Sequence, residues 1–206
     1  MNLPFPRGWR LFWLLSLTVL LMSAAIFTLA PDLVDGLRQV IRATARSSLA
    51  LFLLAFAASS LAVLLPSPST RALVSERRYL GLAFAASHLV HAVAIYAYAR
   101  VAPELFFNGR TLANSLPGSL GYLMILLLAI TSFRAPARLL GPRAWKALHR
   151  TGVWAIWLVF MLALAKRVPM SPWYLLPLGI TAATALLRLA AWWRRCSVRE
   201  MAKAQA

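Results

Sequence analysis

Residues 77–96, RRYLGLAFAASHLVHAVAIY, place two arginines before an apolar run that contains His88 and His91. The run is long enough to cross about 30 Å of hydrocarbon as an α-helix. Ionisable and metal-binding side chains are costly inside a bilayer and are usually functional there. This stretch therefore predicts a membrane-spanning helix that contains the functional residues of the protein, with the other helices packed around it.

The rest of the chain repeats the pattern of apolar blocks. The sequence has 206 residues, is 61% hydrophobic, and collects its apolar residues in blocks of about 20. Because hydrocarbon offers no hydrogen-bonding partner, each block must form a helix. We predict an all-α polytopic membrane protein, a six-transmembrane-helix bundle that forms one domain over residues 1–206. The predicted spans are about 11–30, 47–65, 79–101, 116–133, 144–165 and 173–193.

The segments between the spans are predicted to be short and irregular. Residues 31–48 form a polar connection, residues 102–116 a loop rich in turn-forming residues, and residues 134–150 a basic loop. Arg7 and Arg10 before the first block resemble the start of a signal peptide. That block is longer than an ordinary signal core and further spans follow, so we expect a retained first helix.

The charge distribution predicts the orientation of the bundle. Net charge is +17, and 15 of the 22 lysines and arginines lie at the chain ends and in the second and fourth loops. The positive-inside rule then places both termini in the cytoplasm. Since these cations flank apolar blocks, nucleic-acid binding is not expected. The single cysteine, Cys196, excludes an intrachain disulfide and a CxxC motif.

Other features exclude several classes of protein. The sequence has no GxGxxG motif after a strand and no P-loop. All five acidic residues lie outside the predicted spans, which disfavours ion-coupled transport and carboxylate catalysis. Any redox or energy source must therefore come from a partner or from a membrane-soluble molecule such as a quinone.

The three histidines are the candidate metal ligands. His88 and His91 share one face of the third predicted helix, and His149 stands near the start of the fifth. Facing imidazoles from separate helices are the usual axial pair of a b-type haem in a helix bundle. An equally open interpretation is that they bond neighbouring helices or line a small polar cavity. Zinc is disfavoured because no Cys, Asp or Glu lies near them in sequence.

Two stretches of the chain resemble a known family. The first is Arg77-Arg78-Tyr79-Leu80-Gly81-Leu82, then Phe84, then Leu89-Val90-His91. The second is Thr131-Ser132, then Leu140-Gly141, Trp145 and Leu148-His149-Arg150. In order, spacing and six-span layout, residues 45–165 resemble the ferric-reductase-like transmembrane domain superfamily. Within it, the chain is most similar to the haem-binding membrane subunit of the bacterial periplasmic protein-methionine-sulfoxide reductase system.

The resemblance implies a b-type cytochrome in a bacterial inner (plasma) membrane, acting as a non-catalytic electron-transfer subunit of an oxidoreductase system. It implies histidine-ligated haem b, with one haem favoured over two, a quinol or a cytoplasmic flavin reductase as donor, and a periplasmic redox partner such as a molybdopterin sulfoxide reductase. His91 and His149 match the family's haem ligands, whereas His88 has no matching position. The residues also leave open a six-span protein without haem, which would be a small-molecule channel, a transporter or an assembly factor.

One position departs from the family pattern. Leu162 stands where the branch has a second histidine in its fifth helix. At about 1.5 Å per residue, His91 lies roughly 20 Å past Arg78, while His149 lies about 5 Å past Lys146. Axial partners of one upright haem need similar depths, so this pair fits poorly if both helices are straight.

Three ligand arrangements therefore remain open. One haem is tilted between His149 and either His88 or His91, or it is held by His91 and Met161, or haem binding has been lost from this chain. Arg150 and Arg46 are the candidates for binding the haem propionates, because they lie next to spans. The alternative is that they reach the lipid headgroups.

Overall fold

The structure, a computed structural model, describes residues 6–109 and 111–204 and folds them almost entirely into helices. No strand occurs among these described residues. The α-helices are α1 (Trp9–Leu29), α2 (Leu33–Leu64), α3 (Pro68–Val101), α4 (Pro103–Phe107), α5 (Leu112–Ile130), α6 (Arg134–Ala165) and α7 (Leu175–Ala204). Two short 3-10 helices, Val168–Met170 and Pro172–Tyr174, connect α6 to α7. The prediction of an all-α fold is confirmed.

Within residues 6–109 and 111–204, five helical segments are long and apolar enough to cross a membrane. They are α1, α2, α3, Arg134–Met170 and Pro172–Val198. The apolar part of α5, Asn114–Ile130, is shorter than these. The described chain therefore has the helices of a multi-pass membrane protein, and the predicted count of six spans requires α5 to cross as well.

The first turns of α2 lie in the segment that was predicted to be a polar connection. Asp32 caps this helix, because its side chain accepts a hydrogen bond from the backbone N–H of Asp35 at 2.8 Å. Leu37 and Val40 are buried one and two turns further on. The prediction of an irregular connection over 31–48 is wrong, because its charged residues form the polar face of a helix whose other face is apolar.

α3 also begins earlier than its predicted span. Ser67 and Thr70 form a capping box. Pro68 occupies the first helical position, where a missing backbone N–H costs nothing. Only the short turn 65–67 therefore separates α2 from α3, and the two helices form a hairpin.

Small polar residues line the contact between α2 and α3. The Oγ of Ser87 lies 3.0 Å from the Oγ of Ser47 and 2.9 Å from that of Ser48. Ser48 and Ser87 are almost fully buried. In membranes, small side chains let helix backbones approach closely, and hydrogen bonds between them add to the packing.

An aromatic cluster joins this hairpin to α6. The ring centroid of Phe52 lies 5.3 Å from that of Phe56, 5.4 Å from that of Phe84, and 5.4 Å from that of Phe160. Ile156 is 2% exposed in the same core. All of these residues except Phe160 also line the cavity described below and form its apolar floor.

α6 contains a sharp break. Gly141 has φ 71° and ψ 163°, a backbone conformation that favours glycine, and Pro142 follows it. The chain is helical on both sides of the break, because proline is well suited to the first position of a new helical segment. The predicted basic loop over 134–150 is therefore wrong.

Two glycines allow α5 and α6 to pack closely. A Cβ built on Gly152 would lie 3.0 Å from the side chain of Leu128, and one built on Gly121 would lie 3.3 Å from that of Val159. α7 then packs against α2 and α6. The helices α2, α3, α5, α6 and α7 together surround the cavity described next.

Candidate functional site

The three histidines lie at two levels of the bundle. At the first, the cavity level, His149 borders a cavity together with Arg77 and Arg78. At the second, the paired-histidine level, the ring centroids of His88 and His91 are 5.0 Å apart. These two residues lie about 15 Å and 20 Å beyond Arg78 along α3, and neither lines the cavity. The fold brings His88 and His91 together but brings neither of them to His149.

α2 holds His91 through one ring nitrogen. The Nδ1 of His91 lies 3.0 Å from the Ile41 carbonyl oxygen and 3.0 Å from the Oγ1 of Thr44. The Thr44 hydroxyl donates to the Val40 carbonyl at 2.6 Å, so both oxygens that face His91 are acceptors. The proton is therefore on Nδ1, and Nε2 keeps its lone pair. A metal-ligating histidine commonly has this arrangement.

Aromatic rings enclose His88. The ring centroids of Phe84, Tyr122 and Phe160 lie 5.5 Å, 5.0 Å and 6.0 Å from that of the imidazole. The Nδ1 of His88 and the hydroxyl of Tyr122 are buried, and no described residue gives either a hydrogen bond. Buried polar atoms without a partner are uncommon. Sequence reasoning missed Tyr122, because a single tyrosine in an apolar helix resembles any other packing residue.

The end of α5 fixes His149. Its Nε2 lies 3.0 Å from the Oγ1 of Thr131, whose hydroxyl donates to the Leu127 carbonyl at 2.6 Å. The Nε2–H is therefore the donor to Thr131, and Nδ1 keeps its lone pair. Trp145 donates from Nε1 to the Thr131 carbonyl at 2.8 Å, and its ring stacks on His149 with centroids 4.3 Å apart. Three residues of the second family-like stretch thus form one hydrogen-bonded cluster.

A cavity of about 580 Å³ lies beside His149. Cavities of roughly 300–1,000 Å³ are typical of small-molecule and cofactor sites. Phe52, Phe84 and Ile156 contribute to its apolar floor. Gly81 lines it as well, and a Cβ built on Gly81 would meet no atom within 4 Å, so α3 borders open space there.

The lining of the cavity is strongly positive. Among the described lining residues, none is acidic and five are cationic. The cationic residues are Arg77, Arg78, Lys146, Arg150 and Arg188. Arg150, one of the two sequence-based candidates for binding propionates, therefore lies at the cavity, next to the residue predicted to ligate iron, whereas Arg46 does not line it.

Arg188 is the cavity residue that sequence reasoning missed. It was grouped with the basic C-terminal end, although it lies inside the predicted apolar span 173–193. Its Nη1 donates to the Phe56 carbonyl at 2.9 Å, and its guanidinium lies 4.2 Å from the centroid of the Phe56 ring. An arginine inside an apolar run was the signal that could have marked it, because such residues usually face the interior of a bundle.

Leu162 and Met161 stand apart from the cavity. Leu162 is 42% exposed, and neither residue lines the cavity. At 3.6 residues per turn, thirteen residues place Leu162 about 140° around α6 from His149. A histidine at position 162 of this structure would therefore not reach the cavity that His149 borders.

A b-type haem fits these residues in part. Among the described residues, no group of three or more His, Cys, Asp or Glu could hold a metal ion. A haem iron needs axial ligands only, and the cavity offers His149 together with cations that suit carboxylates. No second histidine from the described part of the chain lines it.

The chain was compared with known proteins by sequence and by structure. No family model, no curated protein and no solved structure matches it. The resemblance of residues 45–165 to the ferric-reductase-like superfamily therefore stays a prediction that rests on the two sequence stretches.

Proposed function

We propose that the protein is a b-type cytochrome-like electron-transfer subunit of a bacterial inner membrane. Six helices span the membrane and both termini are cytoplasmic. Electrons pass from a quinol or a cytoplasmic flavin reductase to a periplasmic redox protein such as a molybdopterin sulfoxide reductase. The class of function follows the resemblance to the ferric-reductase-like superfamily, in which such a chain is the non-catalytic member of an oxidoreductase system.

The observation that carries the proposal is the cavity beside His149. It combines a neutral imidazole, apolar walls, the volume of a cofactor site and several cations. An iron porphyrin with two carboxylates requires each of these. His149 would supply the iron ligand from α6, and Arg150 would bind a carboxylate. When bound, the haem supplies a one-electron carrier.

His91 supports the proposal at the other level. Its Nδ1–H is donated to a backbone carbonyl and its Nε2 keeps a lone pair, as in many metal-ligating histidines. Because neither His91 nor His88 lines the cavity, and His91 lies about 9 Å along α3 from the last cavity-lining residue of that helix, we assign His91 to a ligand set of its own, with His88 beside it.

A spectrum of the purified protein tests the proposal. The chain is expressed with ample haem, purified in mild detergent, and measured before and after addition of dithionite. We expect a Soret band that shifts on reduction. A preparation without any Soret band would reject haem binding.

A second candidate is a six-span protein without haem, acting as a small-molecule channel, a transporter or an assembly factor. The packing around His88 favours it, because rings of Phe84, Tyr122 and Phe160 surround that imidazole. Under this candidate, His88→Ala changes ligand or partner binding without any spectral change. The spectrum described above separates the two candidates.

A further inference from the structure

The cavity holds more positive charge than its protein neighbours balance. Its described lining includes five cations and no acid. Glu76, the acid nearest to the cavity along α3, is 7% exposed. Its Oε2 accepts a hydrogen bond from the backbone N–H of Gly8 at 2.7 Å. This carboxylate therefore binds the start of α1 and is not one of the residues that line the cavity.

Arg188 differs from the other four cations, which are exposed side chains around the cavity. Arg188 is partly buried, and its guanidinium lies 4.2 Å and 5.3 Å from the ring centroids of Phe56 and Trp154. Its one hydrogen bond to the described part of the protein runs from Nη1 to the Phe56 carbonyl. A guanidinium has five N–H donors in a planar fork, so most of them are left for a ligand in the cavity.

Arg194 of the same helix offers a comparison, because its side chain lies at the edge of the bundle and not at the cavity. It donates to the carbonyls of Val63 and Leu64 at 2.9 Å and 3.1 Å, is exposed, and does not line the cavity. Arg188 lies about 9 Å deeper along α7. A cation at that depth without an anionic partner is costly, so its position calls for a ligand that compensates the charge.

We propose that the cavity binds the anionic head of an amphipathic molecule, a carboxylate or phosphate group on an apolar body, with Arg188 as the anchor. Carboxylate and phosphate oxygens match the guanidinium fork. The apolar body packs on Phe52, Phe84 and Ile156, and the open space at Gly81 admits it.

Two sources supply this chemistry, namely an anionic phospholipid of the bilayer and the carboxylates of a bound haem. The inference does not depend on haem, because a phospholipid provides the same head group and apolar body. The two sources are distinguished by measuring lipid and haem in the same preparations.

The test uses the purified full chain in detergent. Native mass spectrometry follows titrations with phosphatidylglycerol and, in parallel, with phosphatidylcholine, while haem content is measured from the pyridine haemochrome spectrum. The wild type binds one phosphatidylglycerol more tightly than phosphatidylcholine. Arg188→Gln weakens that binding by about tenfold or more, the effect of losing a hydrogen bond to a charged group. Arg188→Lys, which keeps the charge and loses the fork, has a smaller effect.

Arg194→Gln is the matched control. It removes the same charge from the same helix and also breaks contacts to α2 carbonyls, but it leaves the cavity unchanged. We expect wild-type phosphatidylglycerol affinity and haem content for this variant.

Each outcome decides the proposal. A selective fall of phosphatidylglycerol affinity in Arg188→Gln supports a lipid ligand. A selective fall of haem content with unchanged lipid affinity supports the haem carboxylates. If the Arg188→Gln variant has the same phosphatidylglycerol affinity and the same haem content as the Arg194→Gln variant, the proposal is overturned. A preparation without a Soret band rejects the proposed cytochrome but leaves the lipid measurement intact.

A second variant covers the case in which Arg188→Gln does not fold, as judged by gel filtration. Lys146→Gln combined with Arg150→Gln changes two exposed cavity side chains and leaves the core unchanged. Reduced phosphatidylglycerol affinity or haem content in this double variant supports the anionic ligand. Wild-type values for both measurements assign the head group to the remaining cavity cations when the wild type prefers phosphatidylglycerol, and equal affinity of the wild type for the two lipids together with unchanged haem content overturns the proposal.

Discussion

At the cavity level, His149 borders open volume and several cations, whereas at the paired-histidine level His88 and His91 are packed against rings and backbone. Both levels place neutral imidazoles inside an apolar bundle. The first has a cavity of cofactor size beside the ring, whereas the described neighbours of the second are closely packed side chains and backbone. The surroundings of an imidazole, and not its spacing from another histidine, therefore determine which level can accept a large group.

The two levels also differ in how the ring nitrogens are used. His91 donates from Nδ1 to a neighbouring helix and keeps Nε2 free, while His149 donates from Nε2 and keeps Nδ1 free. The free nitrogen of His149 lies on a residue that lines the cavity, and that of His91 does not. The following experiments test this difference, from the largest expected effect to the smallest.

His149→Ala is expected to have the largest effect on haem. No other described histidine lines the cavity, so haem affinity should fall by more than about 100-fold, beyond the range for loss of an outer-shell partner. Haem titration followed at the Soret band measures the change. The exposed Thr151→Ala on the same helix serves as the control. Full haem content in His149→Ala would place the haem outside the cavity.

His91→Ala is expected to lower haem content less than His149→Ala does. The loss should be small, because His91 does not line the cavity and acts on it only through the packing of α3. The losses of the two single variants should add in the double variant, since the two residues share no described contact. If His91→Ala alone removed all haem, both histidines would serve one haem and the two-level comparison would be wrong.

Thr131→Val keeps the shape of the side chain and removes the oxygen that accepts from His149. The ring then loses its orienting partner, and haem affinity should fall about tenfold, as measured by the same titration. Ser132→Ala is the matched control, because Ser132 also lines the cavity while its hydroxyl bonds back to the Leu128 carbonyl. If both variants lowered haem affinity equally, Thr131 would not be the residue that orients His149.

Gly152→Ala tests whether the α5–α6 wall of the cavity is tightly packed. The added methyl would lie 3.0 Å from Leu128, and overpacking of this kind costs about 1–3 kcal/mol of unfolding free energy. Gly179→Ala in α7 is the control, because its Cβ would meet nothing within 4 Å. Thermal unfolding in detergent should show a lower Tm for Gly152→Ala alone. Similar Tm values would mean that the wall is loose.

The membrane helices could be predicted from sequence because a bilayer requires long apolar blocks, and these are visible residue by residue. The connections could not be predicted from charge. Asp32 caps α2 and so turns a charged stretch into helix, and Pro142 starts a new helical segment after the break at Gly141. In both places a residue that favours the start of a helix makes the chain helical, although the side chains around it are polar.

The candidate site was predicted only in part. His149 and Arg150 line one cavity, as expected of a ligand and a propionate-binding residue, and Arg77 and Arg78 line it as well, which the sequence did not predict. Arg188 was missed because the cavity is built from five helices, and its contact with Phe56 joins residues 132 positions apart in sequence. No local pattern reports such a contact.

Thr131 links the orientation of His149 to the path of the chain between α5 and α6. The same residue accepts from the His149 ring through its hydroxyl and from Trp145 through its carbonyl. The segment between Thr131 and Trp145 contains the break at Gly141 and is closed at its ends by the Trp145–Thr131 hydrogen bond. A change in the path of this connection would therefore move the hydroxyl that orients the imidazole at the cavity.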